Sequence, residues 1–175
     1  MNLRAKYLQL RYAIQGWNSS AWWRAEGEVL SLYPPDGNII AFPTLQQMRA
    51  FLDKGEAYWG DADMACLDWF CQKQGETYLN VLKHRPALFF FYQETCGFFF
   101  LFRGVGGEEY LPFDANRKED GDFTRWIGGE ASQFPYSACV SRSIAWEVVQ
   151  EFLTTQRRCK AIPWVTAKGF CIRRD

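Results

Sequence analysis

The chain holds one histidine, His84. A solitary imidazole between Lys83 and Arg85 reads as a surface residue near a strand end, which sets aside histidine-rich metal sites and most imidazole acid–base chemistry. Six cysteines stand at 66, 71, 96, 139, 159 and 171, but no CxxC occurs, and the five-residue step from Cys66 to Cys71 is not a zinc spacing. Neither sign of charge is in excess. Lys plus Arg and Asp plus Glu number 20 each, so no overall basic surplus argues for direct nucleic-acid binding. Long apolar runs are also missing: ALFFFY from Ala87 and FFFLF from Phe98 are too short to cross a membrane. The opening MNLRAKYLQLRYAI has no apolar core or small-residue cleavage site, so no signal peptide is expected. A cytoplasmic protein with buried, reduced cysteines follows as the expectation; three disulfides would be the alternative after export.

Other constellations can be drawn without being specified. Cys139 or Cys96 could pair in space with His84 as nucleophile and base, which would require a depressed thiol pKa and rapid alkylation. Gly104, Gly106 and Gly107 lack the Lys-Ser or Lys-Thr of a phosphate loop and read as a turn. Glu108 and Glu109 with Asp114 do not differ in spacing from a solvated strand edge. No catalytic residue, metal ligand or cofactor is assigned, and a non-enzyme is the expectation.

What the chain has in abundance is apolar and aromatic material. At 175 residues and 48% hydrophobic, it can build a full core as a single domain spanning 1–175. Residues 3–14 alternate in part and suit a half-buried strand, and Gly27 to Tyr33 suits a second. The Asn18-Ser19-Ser20 sequon between them has no meaning without export. Pro34-Pro35-Asp36-Gly37 is turn chemistry before a short strand from Asn38 to Phe42. Thr44 with Gln47 forms a capping box for a helix burying Leu45, Met48, Phe51 and Leu52, with Gly55 as its stop. Met64, Leu67, Phe70 and Cys71 suggest another helix from Asp61 or Asp63 to Gln74. Residues 77–82, Ala87 to Gln93, Cys96 to Arg103 and Glu109 to Phe113 read as strands. Because Leu88-Phe89-Phe90-Phe91 does not alternate, the central strands are expected to be covered on both faces. The polar stretch from Asp114 to Gln133 reads as a long surface loop. Val165 to Arg173 closes the chain as a strand. The fold class expected is α+β, a mostly antiparallel sheet with about three helices packed against it.

The clearest helix follows Ser141. Ile144, Ala145, Val148, Val149, Phe152 and Leu153 share one face, and Arg142, Glu147, Gln150, Glu151 and Thr154 fall on the other. Ser141 or Ser143 can cap its start, Arg157, Arg158 and Lys160 place positive charge at its end, and Pro163 forbids continuation. Ala145, then Glu151-Phe152-Leu153-Thr154, Arg157 and Trp164 form a run that resembles the closing motif of the first-numbered immunity-protein family of bacterial polymorphic toxin systems. In that family an "eFL-T-G-x-R-P" type segment leads to a final Trp; here Gln156 stands where Gly is usual and Cys159 where Pro is usual. The resemblance covers about two dozen residues. It implies an immunity protein of interbacterial competition or contact-dependent inhibition, acting in the cytoplasm on the C-terminal domain of a cognate toxin, such as a deaminase or nuclease.

Charge is unevenly placed along the chain, which gives that implication a physical form. A toxin that acts on nucleic acid presents a positive groove, and carboxylates can occupy it in place of phosphates. Glu108, Glu109, Glu119, Asp120 and Asp122 are the candidate interface acids. Trp22 and Trp23, beside Asn18, Ser19 and Ser20, are the candidate aromatic anchors. The competing reading is a small-ligand or peptide-binding domain with an aromatic-lined pocket, and the least favoured is a cysteine enzyme.

Overall fold

In the computed structural model the described residues are 27–60, 63–72, 85–114, 121–127 and 130–169. The strands expected at residues 3–14 and 77–82 lie outside them, as do the Asn18 sequon, Trp22, Trp23, His84, Glu119, Asp120 and Cys171. In chain order the elements are β1 (Gly27–Tyr33), β2 (Ile40–Ala41), α1 (Leu45–Leu52), α2 (Glu56–Trp59), β3 (Ala65–Gln72), β4 (Ala87–Gln93) and β5 (Gly97–Arg103). They continue with β6 (Glu109–Pro112), β7 (Asp122–Ile127), β8 (Glu130–Pro135), β9 (Cys139–Val140), α3 (Arg142–Thr155) and β10 (Trp164–Thr166). The class is α+β, with a mostly antiparallel sheet and three α-helices among the described residues.

The phenylalanine runs make the centre, because aromatic side chains fit a pleated surface that is buried on both sides. β4 and β5 pair along their whole length, from Ala87 opposite Arg103 to Gln93 opposite Gly97. The connection closes with the Cys96 N–H donating to the Gln93 carbonyl at 3.1 Å. Gly97 takes φ +93°, and a Cβ there would collide with the Val140 carbonyl, so the turn needs glycine on both counts. From this pair the sheet runs outward in the order β10-β6-β5-β4-β3-β1-β2, with β9 pairing the Phe98–Phe99 end of β5.

Alternation sorts the aromatic rings into two layers. Phe90, Phe98 and Phe100 face the helices: Phe90 meets Phe51 of α1, Trp59 of α2 meets both Phe90 and Phe98, and Phe102 meets Phe152 of α3. Phe91 and Phe99 stack on each other at 5.0 Å on the opposite face and meet Phe134. All five residues from Ala87 to Phe91 are buried, which bears out the two-sided covering expected from their lack of alternation.

Segment 63–72 departs from expectation: it is strand β3 and not a helix. Its helical spacing is outweighed by backbone pairing on both sides, with β1 from Gly27↔Gln72 to Tyr33↔Cys66 and with β4 from Ala65↔Phe90 to Asp68↔Ala87. The stretch from Asp114 to Gln133 is likewise not one long loop, since β7 and β8 pair as a hairpin. Its polar composition hides an alternation in which Phe123, Arg125, Ser132 and Phe134 turn inward. Leu45, at the first position of α1, is 45% exposed and adds nothing to the buried face of Met48, Phe51 and Leu52. Gly55 caps the start of α2, while α1 ends at Asp53. The final strand ends at Thr166.

The capping box at Thr44 forms as read: the Gln47 N–H donates to Thr44 Oγ1, and the Thr44 N–H to Gln47 Oε1. Ser141 caps α3, and Ala145, Val148, Val149 and Phe152 are its buried face. Arg142, placed by periodicity on the polar side, reaches across to donate to the Leu52 carbonyl at the end of α1. Gln156 ends α3 at φ 59° and ψ 21°, the left-handed conformation that favours glycine. Gln156→Gly is therefore expected to stabilise the protein by about 0.5–1 kcal/mol, read as a shift in the urea midpoint at constant slope.

Candidate partner-binding surface

The hairpin β7–β8 is a separate two-stranded sheet laid on the Phe91–Phe99 end of the central pair. Phe134 sits 5.1 Å from Phe91 and 4.8 Å from Phe99, and Phe123 packs on Phe134 and Tyr136. A two-stranded ribbon is marginal alone, so this contact supplies its stability. Arg125 adds a polar clamp. It is 4% exposed, its guanidinium lies 4.4 Å over the Phe91 ring, and it donates to the carbonyls of Trp59 and Tyr92 and to Gln93 Oε1. Its two terminal nitrogens thus meet backbone and amide oxygens while its plane meets a ring face.

With one face pinned, the other is presented to solvent. Asp122, Thr124 and Trp126 alternate outward along β7, with Pro135, Gln133 and Ala131 opposite them on β8. Trp126 is 55% exposed. A large exposed ring on a ribbon fixed from below, with short polar groups around it and a carboxylate about 13 Å away along the same face, is the makeup of an interface anchor. Sequence reasoning passed over Trp126 because the segment was read as loop. The signal was Gly128-Gly129 between two alternating runs, a two-residue hairpin pattern.

Of the acids singled out from sequence, Asp122 lies on this face and is exposed. Glu108 and Glu109 are split by strand alternation. Glu109 stands opposite Arg103 at the end of β5 away from the hairpin, about 13 Å along the strand from Phe99. Glu108 folds back over Gly106, where an added Cβ would lie 2.6 Å from its Oε1. It lines a cleft on the helix side with Arg157, Arg158 and Lys160. The three described acids therefore do not make one patch.

Cys96 and Cys139 are 2% and 1% exposed, so each packs as a small hydrophobe. Among the described residues no group of three or more His, Cys, Asp or Glu could hold a metal ion, and no helix is long and apolar enough to cross a membrane. Comparison with protein-family models and with curated proteins finds no match.

One buried acid stands apart. Asp68 of β3 is 9% exposed, opposite Ser31 and Ala87, and Ala87 in turn faces Arg103, so the four form a row across the sheet. Burial pushes its carboxyl up to about 6, against the pull of Arg103 and Arg85. Arg85 is held by donating to the Trp69 carbonyl at 2.8 Å, and Arg103 stacks 5.1 Å over Phe89. Asp68 Oδ1 has no hydrogen-bond partner.

Two outcomes are expected. Arg125→Met should lower stability by about 2–4 kcal/mol and expose the β7–β8 amides to faster hydrogen exchange before those of β4 and β5. Because the folded carboxyl of Asp68 titrates above its ordinary 3.8, its contribution is fully present below pH 4 and lost as pH rises through about 6. The gap corresponds to about 3 kcal/mol. Stability of the Asp68→Asn variant should rise relative to wild type by about that amount between pH 4 and pH 7, measured by denaturation at each pH.

Proposed function

We propose that this protein is a non-catalytic immunity protein, which binds the C-terminal domain of a cognate toxin in the cytoplasm and neutralises it by occlusion. The observation that carries the reading is the outer face of β7–β8, where exposed Trp126 stands on a clamped ribbon with Asp122. A preorganised aromatic anchor loses little entropy on binding, and a carboxylate on the same face speeds encounter with a basic surface. In sequence, Glu119 and Asp120 lie just before Asp122. The favoured partner surface is the phosphate-binding groove of a toxin that acts on nucleic acid, such as a deaminase or nuclease.

The resemblance of the segment from Ala145 to Trp164 supports the same reading. Phe152 is core, Thr154 Oγ1 donates back to the Gln150 carbonyl at the end of α3, and Arg157 and Trp164 come together at the cleft beyond it.

The test is to read the gene immediately upstream for a large secreted protein with a toxin-like C-terminal domain, and to co-purify the tagged protein with that domain at low and high salt. A complex is expected. Trp126→Ala should weaken it by about 30-fold or more, and Asp122→Lys should slow association most at low salt. Absence of any complex with a folded toxin domain would overturn the proposal.

A further inference from the structure

A cleft of about 630 Å³ opens between the end of α3 and the turn joining β5 to β6, within the size range of small-molecule sites. Its inner wall is aromatic: Phe102, Tyr110 and Trp164, with Phe102 and Trp164 at 6.2 Å. The Trp164 indole N–H donates to the Cys159 carbonyl at 2.8 Å, which folds the segment after α3 back against the sheet edge. That fold-back delivers Arg157, Arg158 and Lys160 to the cleft. Arg158 is stacked on Tyr110, its guanidinium carbon 3.8 Å from the ring centre. The stack orients a flat cation whose other plane can receive a planar ring, as arginine planes receive bases.

The cleft therefore combines features that select one kind of ligand. Three cations against the single carboxylate of Glu108 leave a surplus of two positive charges, a match for a phosphate monoester. Arg157 and Lys160 are solvent-facing, so their donors are available to an anion. The rings answer to a flat, weakly polar group and not to a bare anion. Glu108 is an acceptor for a hydroxyl or exocyclic amine. The surplus of this cleft sits in a chain of zero net charge, which favours a single nucleotide over an extended strand.

We propose that this cleft is a binding site for a nucleoside monophosphate. The base stacks on the Arg158–Tyr110 pair beside Trp164, and the phosphate is held by Arg157 and Lys160. The inference does not rest on the toxin reading, and its test uses this chain alone.

The experiment is calorimetric titration of the full chain with AMP, GMP, CMP and UMP, with adenosine, inorganic phosphate and a mixed-sequence DNA 12-mer as comparison ligands. At least one mononucleotide is expected to bind at least tenfold tighter than adenosine or phosphate, with a change in tryptophan fluorescence. Arg158→Ala, and the double change Arg157→Glu with Lys160→Glu, should each weaken binding at least tenfold. Arg49→Glu on α1, outside the cleft, should leave it unchanged. The variants' thermal melts confirm that they fold; Arg157 and Lys160 lie on the surface, so their double change tests the site without touching the core. The proposal is overturned by no binding of any of the four at millimolar concentration, or by binding that survives the double change. Phosphate binding as tightly as the nucleotides, or the 12-mer binding more than tenfold tighter per site, would also overturn it.

Discussion

Two adjacent strands whose side chains are apolar on both faces impose the rest of this architecture. Phe90, Phe91, Phe98, Phe99 and Phe100 are each at most 1% exposed. Fully burying a phenylalanine is worth about 1.5–3 kcal/mol, so neither face can be left to water. Helices α1, α2 and α3 cover one face and the β7–β8 hairpin covers the end of the other. Each cover is tied down by an arginine used in the same way. Arg142 lies over Tyr92 and Phe98 and donates to the Leu52 carbonyl at the end of α1; Arg125 lies over Phe91 and donates to the Trp59 carbonyl at the end of α2. A guanidinium meets a ring with its face and carbonyl oxygens with its edge, and the last carbonyls of a helix carry the negative end of its dipole.

This arrangement separates two surfaces of different chemistry on a chain with no net charge. On the hairpin side, Trp126 and Asp122 stand on a ribbon whose inner face is fixed in the core. On the helix side, the C-terminal end of α3 brings three cations to an aromatic wall. Both owe their rigidity to buried contacts beneath them, and preorganised side chains lose least on binding. The first supports the proposed neutralisation of a toxin and the second the proposed nucleotide site.

The candidate site was less legible than the fold because its residues depend on which way a strand faces. Glu108 and Glu109 are neighbours in sequence and were taken together, yet the pleat sends one to the cleft and the other toward Arg103. Trp126 was hidden in a stretch whose hydrophilic composition suggested loop, although its alternation and the Gly128-Gly129 pair carry the hairpin signal. Arg157, Arg158 and Lys160 were read only as charge at a helix end; the Trp164 bond to Cys159 makes them the lining of a cleft.

Local signals in the sequence were enough for the elements whose contacts are local. The Thr44–Gln47 capping box, the Ser141 cap and the two-sided burial of the phenylalanine runs depend on neighbours a few residues apart or on composition alone. Tertiary structure alone decided β3, whose apolar spacing suits a helix but whose backbone groups pair with β1 and β4. It also decided where Arg125 and Arg142 bond, across 66 and 90 residues of sequence. Periodicity reports which side of a segment is apolar, whereas partner strands and distant carbonyls are chosen only when the layers close on one another.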